Sequence, residues 1–178
     1  MEHLPLRRVA QGTMGVTSAM VQTLRELMAA ELVAITFYAS AASGRGVTEN
    51  DADFFREHSE EEQGHYNNLA DRLTEIQGQA IYTLDEARQL APRDIEITNS
   101  MKAPELLELA RVSSELETLA IQNYKAAIQQ ARQEEDETTI KVLRSILADE
   151  EEHLADFQAI LEKANPVIIP PNLGQVGV

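Results

Sequence analysis

The chain has 178 residues, no cysteine, no tryptophan and a formal net charge of −15. That length suits one domain with tails; the missing thiols exclude disulfides, thiolate zinc sites and rubredoxin-type iron centres, and there is no apolar run of about 18 residues to span a membrane. The excess of acid opposes nucleic acids and anionic membranes and favours cations.

Apolar residues make up 43% and aromatics only 4%, so a core of Leu, Ile, Val, Ala and Met predicts an all-α chain. Residues 1–16 read as an irregular arm; Arg7 and Arg8 lack a following apolar stretch, so no secretory signal is expected and the location is expected to be cytoplasmic. A first long helix starts at Thr17 or Ser18. Its inward seam is Val21, Leu24, Met28, Glu31, Ile35, Tyr38 and Ala42, and Gly44 and Gly46 end it. A second runs from Thr48–Asn50 to Ile76 with Phe55, His58, Glu62, His65 and Leu69 inward. Thr83 and Glu86 form a capping box for a short helix to Leu90, limited by Pro92. Residues 92–102 are a connector. Pro104 opens a third long helix that runs to about Gln133, with Leu106, Leu109, Ser113, Glu117, Ala120 and Tyr124 inward. A fourth runs from about Glu137 to before Pro166, with Val142, Ile146, Glu150, His153, Phe157 and Ile160 inward. Residues 165–178 form an extended tail. The bundle is thus two antiparallel hairpins over 17–164. The roughly 25 residues between Gly78 and Ala103 exceed the usual link between neighbouring helices and can run the bundle's length.

Two patterns occur twice. Glu31–Tyr38 and Glu117–Tyr124 both read E-x-x-A-I-x-x-Y, and about thirty residues after each comes E-x-x-H, at Glu62–His65 and Glu150–His153. A spacing of three puts Glu and His on one helical face. In an antiparallel hairpin, residues equidistant from the turn share a height. The point midway between Glu31 and Glu62 falls on Gly46, and that between Glu117 and Glu150 falls in the Gln133–Glu135 turn. Each lone Glu therefore faces its partner's E-x-x-H.

All six lie in seams that are otherwise apolar, where bare carboxylates lose hydration and repel one another. Two divalent cations remove both problems: four carboxylates balance two M²⁺ ions, each imidazole caps one, and two Glu can bridge. Oxygen-rich ligation with one nitrogen per metal suits iron or manganese better than zinc or copper. Glu31, Glu62, His65, Glu117, Glu150 and His153 are thus the candidate ligands of a two-metal site in a four-helix bundle. A chance E-x-x-H on an acidic helix, or duplicated core packing, accounts for single parts of the pattern. Neither explains why each octapeptide opens with an inward Glu.

At these residues the chain resembles the ferritin-like superfamily, over roughly residues 17–164, and within it the bacterioferritins and the Dps-like proteins with bacterioferritin-type di-iron sites. The run at Glu31–Tyr38 is similar to the bacterioferritin first-helix motif, and Asp149–His153 to its fourth-helix motif. The resemblance implies a ferritin-like four-helix bundle. It implies that the six residues are ferroxidase ligands, with Glu62 and Glu150 bridging two iron ions. It also places Tyr38 beside them, bonded to a ligand carboxylate or donating an electron. Tyr124 matches no bacterioferritin position. Gln63 stands where bacterioferritins carry the haem-binding methionine, so haem is not expected. The capped segment Thr83–Leu90 and the Pro-rich tail, in place of a fifth helix, favour a 12-subunit cage over a 24-subunit one. The cysteine pair of several Dps-like relatives is missing.

The function this implies is ferroxidase and iron storage or detoxification, tied to iron homeostasis and oxidative stress. Two Fe(II) ions bind, O₂ or H₂O₂ takes an electron from each, and Fe(III) stays or moves into a homo-oligomeric cage. Glu57, His58 and Glu61 could relay iron. The alternative is a manganese catalase, peroxidase or other di-metal oxidase on the same bundle, because the ligand set alone does not separate them. DNA binding is not expected: the arm has only Arg7 and Arg8, and no Lys or Arg follows Lys163.

Overall fold

Local chemistry sets where each helix begins and ends in the computed structural model, which describes residues 17–44, 46–90 and 105–164. The expected arm 1–16, the 92–102 connector, Pro92, Pro104 and the tail 165–178 lie outside the described residues. The helices are α1 (Ser18–Ala41), α2 (Glu49–Glu75), α3 (Leu84–Leu90), α4 (Leu106–Gln133) and α5 (Glu137–Ala164). Thr17 caps α1, its Oγ1 accepting from Met20 N at 3.2 Å. Thr48 and Asp51 form a reciprocal capping box on α2. The far ends of α2 and α4 share one stop. Gln77 and Glu135 turn left-handed (φ 59° and 56°), and the next amides, Gly78 and Asp136, donate to the carbonyls of Leu73 and Ala131. On α3 the Glu86 amide donates to Thr83 Oγ1 at 3.2 Å. The return half of the predicted capping box is replaced, because the Glu86 carboxylate pairs with Arg25 of α1.

Cross-bundle bonds fix the topology. Thr17 donates through N and Oγ1 to Glu134 at 3.1 and 2.6 Å, which sets the start of α1 beside the end of α4. Arg72 holds Asp136 at 2.9 Å, which joins the end of α2 to the start of α5. At the opposite end, Leu109 packs so close to Gly44 that a Cβ there would lie 2.7 Å from Leu109 Cδ1. The end of α2 and the start of α4 therefore lie at opposite ends of the bundle, the one-crossover topology.

The inward seams are broader than single lines, because each helix meets two neighbours. Val21, Ile35, Ala120 and Ile160 are half-buried. In α5, Leu143 is fully buried in place of the expected Val142, which is half-buried. The core has two apolar layers. One gathers Met20, Leu24, Met28, Leu69, Leu73, Tyr124 and Leu143. The other gathers Phe37, Tyr38, Phe55, Leu109 and Phe157. Between them, halfway along the four long helices, lies a polar layer.

Candidate metal centre

That polar layer is built from the six residues singled out by the repeats. Glu31, Glu62, His65, Glu117, Glu150 and His153 come one or two from each long helix, and each is 1–3% exposed. Glu31, Glu62, His65 and Glu150 each bring a donor atom to within 4.8 Å of the others, and so do Glu62, Glu117, Glu150 and His153. Glu62 and Glu150 belong to both groups.

Both imidazoles turn Nδ1 inward. His65 Nδ1 lies 2.9 Å from Glu62 and 3.2 Å from Glu150. His153 Nδ1 lies 3.4 Å from Glu62 and 3.5 Å from Glu150. Each Nε2–H points out to a carboxylate of the other hairpin: His65 donates to Asp149 at 3.3 Å and His153 to Glu61 at 2.9 Å. Such outer carboxylates fix the tautomer and the ring plane of a metal-binding histidine. Sequence reasoning missed Asp149 in this role and gave Glu61 another. The signal was there: an acid directly precedes each E-x-x-H. The tyrosines cross in the same way. Tyr38 of α1 donates to Glu117 of α4, and Tyr124 of α4 donates to Glu31 of α1.

Electrostatics show how the chain tolerates this layer. Burial, then the charges of Glu150 and Glu62, push Glu31 well above the ordinary carboxylate range. Burial with Glu150 and Glu62 does the same to Glu117. Burial also opposes ionisation of Glu62, but the two imidazoles outweigh it and hold Glu62 down at about 2. Burial disfavours charged imidazoles, yet Glu150 and Glu62 push His65 up to about 12 and His153 up to about 11. The tyrosines are also pushed up, first by burial and then by the facing glutamates, Glu117 for Tyr38 and Glu31 for Tyr124.

Protons alone leave the layer unfinished. Both Glu150 oxygens and His153 Nδ1 are buried without a hydrogen-bond partner, although buried polar atoms are nearly always paired. These orphaned atoms fit metal cations, and an oxygen-rich set with two nitrogens fits iron or manganese.

Glu57, His58 and Glu61 do lie beside the centre, on a cavity of about 360 Å³ between α2 and α5 that also carries Asp149, Glu152 and Asp156. His58 is buried, donates from Nδ1 to the Phe54 carbonyl at 2.9 Å and packs 4.6 Å from the His153 ring. Burial, then His153, lowers its pKa.

The ferritin-like domain family matches residues 21–167. The chain belongs to the ferritin-like family. Solved ferritin-like structures similar to it include the bacterioferritin BfrA of Mycobacterium tuberculosis, with 25% identity, a TM-score of 0.69, and coverage of 84% of this chain and 87% of that one. Another is the bacterioferritin-related protein of Bacteroides fragilis, described as a dodecameric thioferritin, with 25% identity, a TM-score of 0.69, and coverage of 82% and 86%. No curated protein sequence matches this ferritin-like chain. None of its helices, among the described residues, is long and apolar enough to cross a membrane.

Proposed function

We propose that this ferritin-like chain is a ferroxidase that takes Fe(II) as substrate, oxidises it with O₂ or H₂O₂, and stores or detoxifies the Fe(III) in a cage of identical subunits. The carrying observation is the buried layer with its three unpartnered donor atoms, Glu150 Oε1 and Oε2 and His153 Nδ1. Glu31, Glu62, His65, Glu117, Glu150 and His153 would hold two iron ions, with Glu62 and Glu150 shared. Iron held there supplies one electron per ion to the oxidant.

The remaining work falls to the chain. His65 and His153 present Nδ1 because Asp149 and Glu61 hold their opposite nitrogens. Tyr38 fixes the Glu117 carboxylate. The apolar layers above and below keep bulk water from the centre. The acidic cavity between α2 and α5 concentrates cations next to both histidines, and Glu57, His58 and Glu61 line their way in.

Anaerobic titration with Fe(II), followed by an oxygen pulse, tests this reading. Two Fe(II) per chain should bind and oxidise, and Glu62→Ala with Glu150→Ala should abolish both. If manganese-loaded protein evolves O₂ rapidly from peroxide while iron-loaded protein builds no mineral, the chain is a catalase and the storage reading fails.

A further inference from the structure

The polar layer meets two cavities of unlike chemistry. The one between α2 and α5, about 360 Å³, carries both candidate histidines and the acids Glu57, Glu61, Asp149, Glu152 and Asp156. The other, about 30 Å³, lies between α1 and α4, and among the described residues no histidine lines it. Its floor is the carboxylates of Glu31, Glu62, Glu117 and Glu150, and its walls are apolar, chiefly Leu27, Ala34, Leu116 and Ala120. Both oxygens of Glu150, which is 1% exposed, lack a hydrogen-bond partner, so the recess ends on unused lone pairs. Ala34 and Ala120 are the matching alanines of the two octapeptides. Each follows its glutamate by one helical turn on the same face, and its small side chain leaves the space beside that glutamate open. Leu27 and Asn123 also line a groove of about 220 Å³ between the same two helices, where Glu26 and Ala126 are exposed. The recess therefore has a way out to solvent. Because α1 packs on α2 and α4, and α5 on α4 and α2, the two cavities lie on opposite faces of the bundle.

We propose that the recess between α1 and α4 is the dioxygen entrance of the centre, so that oxidant and Fe(II) arrive from opposite faces. The inference rests on the ferroxidase reading and names the oxidant that reading leaves open. Size and polarity select the visitor. About 30 Å³ holds roughly two waters or one diatomic molecule. A hydrated cation is too large for it and would lose its water against apolar walls. Hydrogen peroxide brings O–H donors that need acceptors along the way in, and apolar walls supply none. Dioxygen is uncharged, has no donor, and is favoured by an apolar surrounding over water. The acidic cavity attracts cations, but its field does nothing for a neutral oxidant. Separate entrances keep the path of dioxygen clear while iron fills the acidic one.

Stopped-flow oxidation of Fe(II) already bound without oxygen, driven by O₂ or by H₂O₂ in parallel, tests the route. Ala120→Leu fills the recess with a branched side chain and leaves the six candidate ligands and the acidic cavity untouched. Its second-order rate constant with O₂ should fall about tenfold. Its constant with H₂O₂ should stay near that of the wild type, because peroxide has the wet acidic cavity open to it. Anaerobic Co(II) should bind the variant as it binds the wild type. An unchanged O₂ constant in Ala120→Leu overturns the proposal, and so does an equal loss with both oxidants. Wild-type crystals under xenon pressure give a reading that needs no variant. Xenon should sit beside Leu116 and Ala120, and a recess without xenon overturns the proposal. All these outcomes leave iron oxidation itself standing; wild-type protein that binds no Fe(II) would instead sink the function.

Discussion

Burial and the facing carboxylates push Glu31 and Glu117 toward the protonated form, and Glu150 and Glu62 favour the imidazolium forms of His65 and His153, so protons occupy the places of metal charge. Divalent ions need carboxylates and neutral imidazoles as ligands, so loading must expel protons. Filling the layer with metal should release protons, from the imidazoliums and from the carboxyls pushed up by burial. Affinity should weaken as the pH falls, because acid refills the same positions. Titration in weak buffer with a pH-stat checks the release; metal uptake with no proton released contradicts it. The convergence of the six candidate ligands was legible in the sequence because spacing within a helix and distance from a turn are properties of the chain alone. The partners of the two imidazoles and the target of Tyr124 were not. They cross from one hairpin to the other, and that pairing depends on how the hairpins are rotated against each other.

The junction of α2 and α5 hangs on a small polar cluster at the level of whole elements. Asp136 Oδ1 accepts from the Thr139 amide at 3.0 Å and so caps α5, while Arg72 of α2 reaches Asp136 at 2.9 Å and Thr139 Oγ1 at 2.7 Å. Asp136→Ala removes a cap and leaves a largely buried guanidinium short of a partner, so it should cost about 2–4 kcal/mol in urea unfolding. Burial opposes ionisation of Asp136, but Thr139 and then Arg72 outweigh it, and its pKa is lowered. A carboxyl depressed in the folded state contributes stability that is complete above its unfolded value, about 3.9, and lost as the pH falls through the folded value. Asp136→Asn can still cap, but its stability should fall less steeply than wild type below about pH 4. Equal acid slopes for the two proteins would remove Asp136 from the account. Helix boundaries were readable because Thr17 and Thr48 carry caps. The exchange of Val142 for Leu143 was not. A seam read along one helix ignores the second neighbour, and α5 packs on both α4 and α2.

At the scale of the whole molecule, the polar layer divides one core into two, and all four long helices must be in place before any donor converges. Metal should therefore stabilise the entire bundle. Adding Co(II) should raise the unfolding midpoint of the wild type and leave that of Glu62→Ala with Glu150→Ala unmoved. The twelve-subunit cage expected from the capped crossover and the Pro-rich tail is testable by native mass spectrometry. Twelve subunits would support the Dps-like architecture, and twenty-four would place the chain with the larger cages. Assembly was the least legible property. It depends on surfaces between copies, whereas composition and periodicity report burial within one chain.

Anomalous diffraction at the iron edge, from crystals exposed to Fe(II) without oxygen, tests the centre most directly. Two peaks should appear in each chain, both touching Glu62 and Glu150, one beside His65 Nδ1 and Glu31 and the other beside His153 Nδ1 and Glu117. Iron bound only on the acidic surface, with none among the six side chains, would contradict the account.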